Sequence, residues 1–209
     1  MNIRRKIAVQ MLTMTVLLAS ISSSVQAKAH VRAYVRPAAQ YVILVDKNIS
    51  DSGHFGGGFA AGAVFGERER FEVGAEISRL QFNGYYKGKK DSTGLPRDNG
   101  TAAFRVTPLL VTFRYYFTDK DVFIRPYVGA VLGYTQSEVT FLGVSNTAGG
   151  LSAGMSCGLS FALGQRLALD TGYRYINSSD AVDGWFLDFS GNRFRYRAHI
   201  LSLALNVRF

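Results

Sequence analysis

The stretch YRAHILSLALNVRF, from Tyr196 to Phe209, decides the fold. His199, Leu201, Leu203, Leu205, Val207 and Phe209 fall on one parity, and Ala198, Ser202, Ala204, Asn206 and Arg208 on the other. Successive side chains of a strand point to opposite faces, so this period of two reads as a strand with one apolar and one polar face. The same rhythm recurs upstream. Phe71, Val73, Ala75 and Ile77 oppose Glu72, Gly74, Glu76 and Ser78, and Ala153, Met155, Cys157, Leu159 and Phe161 oppose Gly154, Ser156, Gly158 and Ser160. Helical periodicity is absent after residue 27. The alternating segments predict eight strands: Arg32–Ile43, Gly57–Gly66, Phe71–Phe82, Phe104–Phe117, Phe123–Thr135, Leu151–Leu163, Leu167–Ile176 and Tyr196–Phe209.

Alternation alone does not say which face is enclosed. A soluble, lipocalin-like barrel encloses its apolar face, and a membrane barrel encloses its polar one. Glycine is the first discriminator. Gly62, Gly66, Gly74, Gly129, Gly133, Gly154, Gly158 and Gly172 share the parity that carries the charges. Glycine weakens a strand, whereas a narrow lumen needs small side chains between large ones. The second is the choice of cation. Lys28, Lys47, Lys87, Lys89, Lys90 and Lys120 fall in terminus, loops or turns, while the strand cations are arginines. Enclosed ion pairs favour the planar fork of arginine. Both features place the polar face inside.

The predicted lumen holds Arg36, Glu72, Glu76, Arg114, Arg125, Asp170, Arg174 and Arg208, with Gln40 and Tyr127. These charges fix register, because a slip of one residue would turn them toward lipid, where an arginine at the midplane costs about 2–4 kcal/mol. Glu76 is expected to pair with Arg114, and Asp170 to lie close to Arg174 or Arg208. Tight connections are expected at Glu67–Arg70, Thr118–Val122 and Gly164–Arg166, and long ones at Leu44–Gly56, Asn83–Ala103, Gln136–Gly150 and Asn177–Arg195. In membrane barrels the short turns are periplasmic and the long loops external, which would leave both termini in the periplasm. Pro37, Pro108 and Pro126 are expected near strand ends or at bulges. The alternation inverts at Arg79–Phe82 and Phe104–Pro108, as if the hairpin rose above the bilayer there.

The N-terminal residues read as a cleaved signal peptide. Arg4, Arg5 and Lys6 precede an apolar run from Ile7 to Ile21, and Val25-Gln26-Ala27 fits a cleavage site. The run is too short and too polar for the roughly 20 residues of a spanning helix. Residues 1–27 are therefore expected to be removed, leaving 28–209 as one barrel domain. The net charge of +9 would fall to +6 with those three cations. Its spread over loops and alternating positions argues against nucleic acid. Cys157 is the only cysteine, so no internal disulfide forms.

Arg125-Pro126-Tyr127-Val128-Gly129, Phe113-Arg114-Tyr115-Tyr116-Phe117 and the alternating tail to Phe209 resemble the eight-stranded OmpA/OmpX-type barrels and the stand-alone outer-membrane β-barrel domain. The resemblance implies an all-β, transmembrane, antiparallel up-and-down barrel in the outer membrane of a Gram-negative bacterium. It implies that Leu203, Leu205, Val207 and Phe209 form the signal read by the barrel-assembly machinery, although Val207 stands where such tails often carry an aromatic. No peptidoglycan-binding domain is expected after the barrel. Fold does not dictate activity on this scaffold.

Few residues carry the pattern of a reactive site. Of His30, His54 and His199, only His199 falls on a predicted strand, facing lipid near the outer rim, and the nearest serine, Ser202, faces the lumen. A nucleophile must lie within hydrogen-bond reach of its base, so a lipid A hydrolase pattern is missing. Glu72 and Glu76 read as ion-pair partners rather than a catalytic pair. No metal spacing, cofactor motif or phosphate loop is present. Lys87, Lys89, Lys90, Arg97, Arg193, Arg195 and Arg197 make two loop regions basic and could meet lipopolysaccharide phosphates. Trp185, Phe186 and Phe189 make the last loop unusually apolar. The expected role is structural or surface-interacting (membrane integrity, adhesion or host-defence evasion), for a non-enzymatic monomer without cofactor. Its expected partners are lipid, lipopolysaccharide and a host surface ligand. A narrow porin-like channel and a lipid A-modifying enzyme are the alternatives.

Overall fold

The computed structural model describes residues 31–45, 53–86, 100–141, 144–182 and 194–209. The expected signal peptide, residues 1–27, lies outside the described residues. Eight strands are present: β1 (Val31–Leu44), β2 (Gly53–Phe65), β3 (Phe71–Tyr86), β4 (Gly100–Tyr116), β5 (Ile124–Phe141), β6 (Val144–Ala162), β7 (Leu167–Val182) and β8 (Phe194–Arg208). Each pairs antiparallel with the next, and β1 pairs with β8, so the sheet closes. Closure satisfies every edge, which a wall facing hydrocarbon requires.

Polar side chains occupy the inside. Leu201, Leu203 and Leu205 point out and are about half exposed, whereas Arg36, Glu72, Asp170 and Asn206 are buried. Aromatic rings rim the apolar band at both ends, as interfacial girdles do. At the turn end, Phe65, Phe71, Tyr115 and Phe117 form a chain of rings with successive centroids 5.9, 5.3 and 5.4 Å apart. At the loop end, Tyr41 meets Phe55 at 5.1 Å, and Tyr173 and Tyr175 flank His199.

The strands run longer than the alternation suggests. A tilted strand crosses the hydrocarbon in about 9–11 residues, yet β5 and β6 have 18 and 19. The expected long loop at Gln136–Gly150 is instead a tall hairpin, β5 ending at Phe141 and β6 starting at Val144. Likewise β2 starts at Gly53, β3 reaches Tyr86, β4 starts at Gly100 and β7 reaches Val182. On β3, β4 and β5 these extensions keep the period of two but reverse its sense. Leu80, Phe82, Phe104, Val106 and Val139 are buried within, while Arg79, Gln81, Arg105, Gln136 and Glu138 face outward.

The prolines divide. Pro126 is the third residue of β5, near its end. Pro37 and Pro108 lie mid-strand and no bulge accommodates them. Pairing of β1 with β8 stops at Val35↔Val207 and resumes at Ala38↔Ala204 in the same register. Pairing of β3 with β4 stops at Ile77↔Leu109 and resumes at Leu80↔Val106. Proline has no amide proton to donate, so the wall omits two ladder steps at each site and keeps its alignment.

Glycine supplies room for one crossing ring. Gly158 of β6 sits opposite Gly172 of β7. A Cβ on either would strike the Tyr127 hydroxyl, and on Gly158 the Thr171 carbonyl oxygen as well. Gly66 is not a lumen residue, but lies in the β2–β3 turn with φ of 94°.

The filled lumen as candidate functional site

Side chains line the lumen at three levels. At mid-height, β1 contributes Arg36, β3 Glu72 and Glu76, β4 Arg114, and β7 Asp170 and Arg174, all buried. Arg36 Nη1 donates to Glu72 Oε1 at 2.6 Å and lies 3.6 Å from Asp170 Oδ2. Arg114 Nη1 donates to Asp170 Oδ2 at 3.0 Å, and its Nε lies 3.6 Å from Glu72 Oε1. The Tyr116 hydroxyl donates to the other Glu72 oxygen at 2.8 Å, and Asn206 Nδ2 donates to Asp170 Oδ2 at 3.3 Å. Arg174 grips Glu76 with both terminal nitrogens, at 2.6 and 2.8 Å, and Gln40 Nε2 donates to the same carboxylate at 3.2 Å.

These pairings differ from those expected. Glu76 pairs with Arg174 across the lumen rather than with Arg114, because the β3–β4 register sets Glu72 opposite Arg114 and Glu76 opposite Leu110. Asp170 pairs with Arg114 and Arg36, not with Arg174 or Arg208. Arg174 lies four residues along the same strand, about 13 Å away at 3.3 Å per residue. Asp170 faces Ala204 on β8, not Arg208. Three guanidiniums also lie over tyrosine rings: Arg36 over Tyr34 at 5.0 Å, and Arg114 over Tyr127 and Arg125 over Tyr116 at 4.3 Å each. Such stacking gives the charge an attractive face as well as hydrogen-bonding edges.

At the turn end, Glu69 organises a second set. It stands in the β2–β3 turn with φ of 50° and is buried. Its carboxylate lies 3.3 Å from Arg32 Nη1 and 3.4 Å from Arg208 Nη1, and its carbonyl accepts from Arg125 Nη2. Alternation does not single it out, because a turn residue has no face and the run Glu67-Arg68-Glu69-Arg70 looks uniformly solvated. Outside the lumen, Arg70 donates to Asp119 at 2.9 Å, and that bond raises its pKa above the ordinary value.

At the loop end, Val42, Leu44, Leu80, Phe82, Phe104, Val106, Leu110, Val131, Val139, Ile176 and Ile200 pack into one apolar cluster. His54 lies on β2, contrary to expectation, with its ring stacked on Phe82 at 4.2 Å, and Phe82 stacks on Phe104 at 4.9 Å.

The outer wall carries little chemistry. His199 Nδ1 lies 2.6 Å from the Tyr173 hydroxyl, while Ser202 Oγ donates to the Gly172 carbonyl at 3.3 Å. Cys157 is exposed on the same face as Met155. Leu203, Leu205, Val207 and Phe209 all point outward, with Phe209 the most exposed of them. Lys87, Lys89, Lys90, Arg97 and Arg193 lie outside the described residues, as do Trp185, Phe186 and Phe189. Arg195 lies on β8. Arg197 is outward and donates to Asn177 Oδ1 at 3.1 Å.

A closed barrel of eight antiparallel strands, with an apolar belt outside and charges within, defines the outer-membrane type of β-barrel. The chain belongs to the outer membrane protein beta-barrel domain family, whose sequence model matches residues 13–209. Neisserial surface protein A is similar in structure, with a TM-score of 0.56 at 19% identity, covering 87% of this chain and 99% of that one. OprG from Pseudomonas aeruginosa has a TM-score of 0.56 at 12% identity, covering 85% and 95%. A major outer membrane protein from Thermus thermophilus has a TM-score of 0.58 at 13% identity, covering 85% and 99%. No curated protein matches the sequence.

Proposed function

We propose that this barrel is an integral outer-membrane protein with a structural or surface-interaction role, not an enzyme and not an open channel. One observation carries the reading: the lumen is occupied at two heights, by the Arg36–Glu72–Arg114–Asp170 and Arg174–Glu76 pairs and by the apolar cluster above them. An eight-stranded barrel is just wide enough for side chains to fill it, and here the filling is charged and interlocked. In this reading the protein sits as a monomer in a Gram-negative outer membrane, turns and termini periplasmic and loops outside. Lys87, Lys89, Lys90, Arg97, Arg193, Arg195 and Arg197 then meet lipopolysaccharide phosphates, and Leu203, Leu205, Val207 and Phe209 serve the assembly machinery. Adhesion or evasion of host defences would fall to the loops. Against a hydrolytic role, His199 has a tyrosine rather than a serine within reach.

Planar-bilayer recording on the refolded chain tests the proposal. No stepwise conductance at nanosiemens scale is expected; steady openings of that size would refute the closed-lumen reading. Lipid A from overexpressing cells should be unchanged in mass, and a lost or added acyl chain would restore the enzymatic alternative.

A further inference from the structure

The turn-end mouth of the lumen holds more positive charge than its partners use. Among the described residues, five arginines and four carboxylates are buried, and Arg125 is the arginine without a carboxylate within ion-pair distance. Its Nη2 donates to the Glu69 carbonyl, while Nε and Nη1 have no partner although only 1% of the residue is exposed. Arg208 touches Glu69 through Nη1 at 3.4 Å and leaves Nε and Nη2 unpartnered. The Ser160 hydroxyl is fully buried and also unpartnered. All three line one cavity of about 250 Å³ that opens at the turns between Arg32, Lys120 and Gln165. Four cations (Arg32, Lys120, Arg125, Arg208) and two carboxylates (Glu69, Asp121) surround it.

Buried polar groups are normally satisfied, and an unpaired buried guanidinium is costly. Four unpartnered guanidinium nitrogens and one hydroxyl, converging from β5, β6 and β8, suit an acceptor with several charged oxygens better than a single-point anion such as chloride. The space exceeds the roughly 30 Å³ that one water occupies in the liquid, so a tetrahedral oxyanion fits with water beside it. We propose that this cavity is a binding site for a phosphate group, either as the free ion or as a monoester such as the headgroup of a phosphatidic acid presents, held by Arg125, Arg208 and Ser160 and steered in by Lys120.

The test uses the full chain refolded in detergent micelles, with inorganic phosphate and glycerol 3-phosphate as probes and sodium chloride matched in ionic strength as control. Phosphate is expected to bind in calorimetry and to raise the thermal unfolding midpoint where chloride does not. Ser160→Ala is expected to weaken phosphate about tenfold, the value of one charge-assisted hydrogen bond. Lys120→Gln, on the exposed rim and outside the folding core, should weaken it about two- to threefold. Glycerol 3-phosphate binding comparably would identify an esterified phosphate as an acceptable ligand; binding by the free ion alone would restrict the site to inorganic phosphate. Chloride acting as well as phosphate would overturn the assignment. So would phosphate binding that neither substitution alters, since that would place the anion on another basic region.

Discussion

On β3, Phe71, Val73, Ala75 and Ile77 point outward while Glu72 and Glu76 point inward. A few residues further along the same strand, Arg79 and Gln81 point outward while Leu80 and Phe82 are buried. The parity of the pleat is unchanged; the chemistry has swapped sides. The turn-side half of the wall is oily outside and ionic inside, whereas the loop-side half of β3–β6 is built like a soluble barrel. What the outer face touches accounts for the difference. Where hydrocarbon surrounds the wall, only apolar groups are tolerated outside and the polar ones retreat inward. Where water surrounds it, the ordinary preference for buried apolar side chains returns.

The two halves should respond differently to substitution, read as urea midpoints of the refolded protein. The largest effect belongs to the ionic half. Glu76→Ala leaves Arg174 buried without its bidentate partner and should cost about 3–5 kcal/mol; a loss under about 1 kcal/mol would mean that the pair does not hold the lumen. Next comes a paired test on the outer face of β3. Ala75→Arg puts a cation within the apolar belt and should cost about 2–4 kcal/mol, whereas Gln81→Arg should change little. Equal costs at the two positions would erase the proposed boundary between hydrocarbon and water. Val106→Ala, in the apolar cluster, should cost about 2 kcal/mol through lost burial and a small void. The smallest effect is expected at the exterior pair, where Arg105 Nη1 donates to Glu138 at 3.0 Å in partly exposed surroundings. Arg105→Ala should cost less than about 1 kcal/mol and lose even that in high salt.

The tail from Tyr196 to Phe209 is enough to read a strand, and the shared parity of glycines and arginines is enough to turn the barrel inside out. Pair identities are harder to read. Glu76 and Arg174 are 98 residues apart, and which arginine reaches which acid depends on register and stagger that alternation does not encode. The hairpin Gln136–Gly150 reads as a loop because its outward residues are polar, the usual sign of a connection. Only the inward Val139 hints that pleating continues. Glu69 is invisible to the pattern because its role comes from a turn with positive φ, where side-chain direction follows backbone twist and not parity.

Pro37 gives the seam between β1 and β8 a consequence of its own. With no amide proton at that residue, the join is fastened in two separate runs, a brief one from Tyr34 to Val35 near the turns and a longer one from Ala38 to Leu44. A barrel inserting with its first and last strands still apart would therefore zip this join from two starting points. Fraying that begins at the carboxyl end would release the brief run first, and the longer run would keep its own ladder bonds.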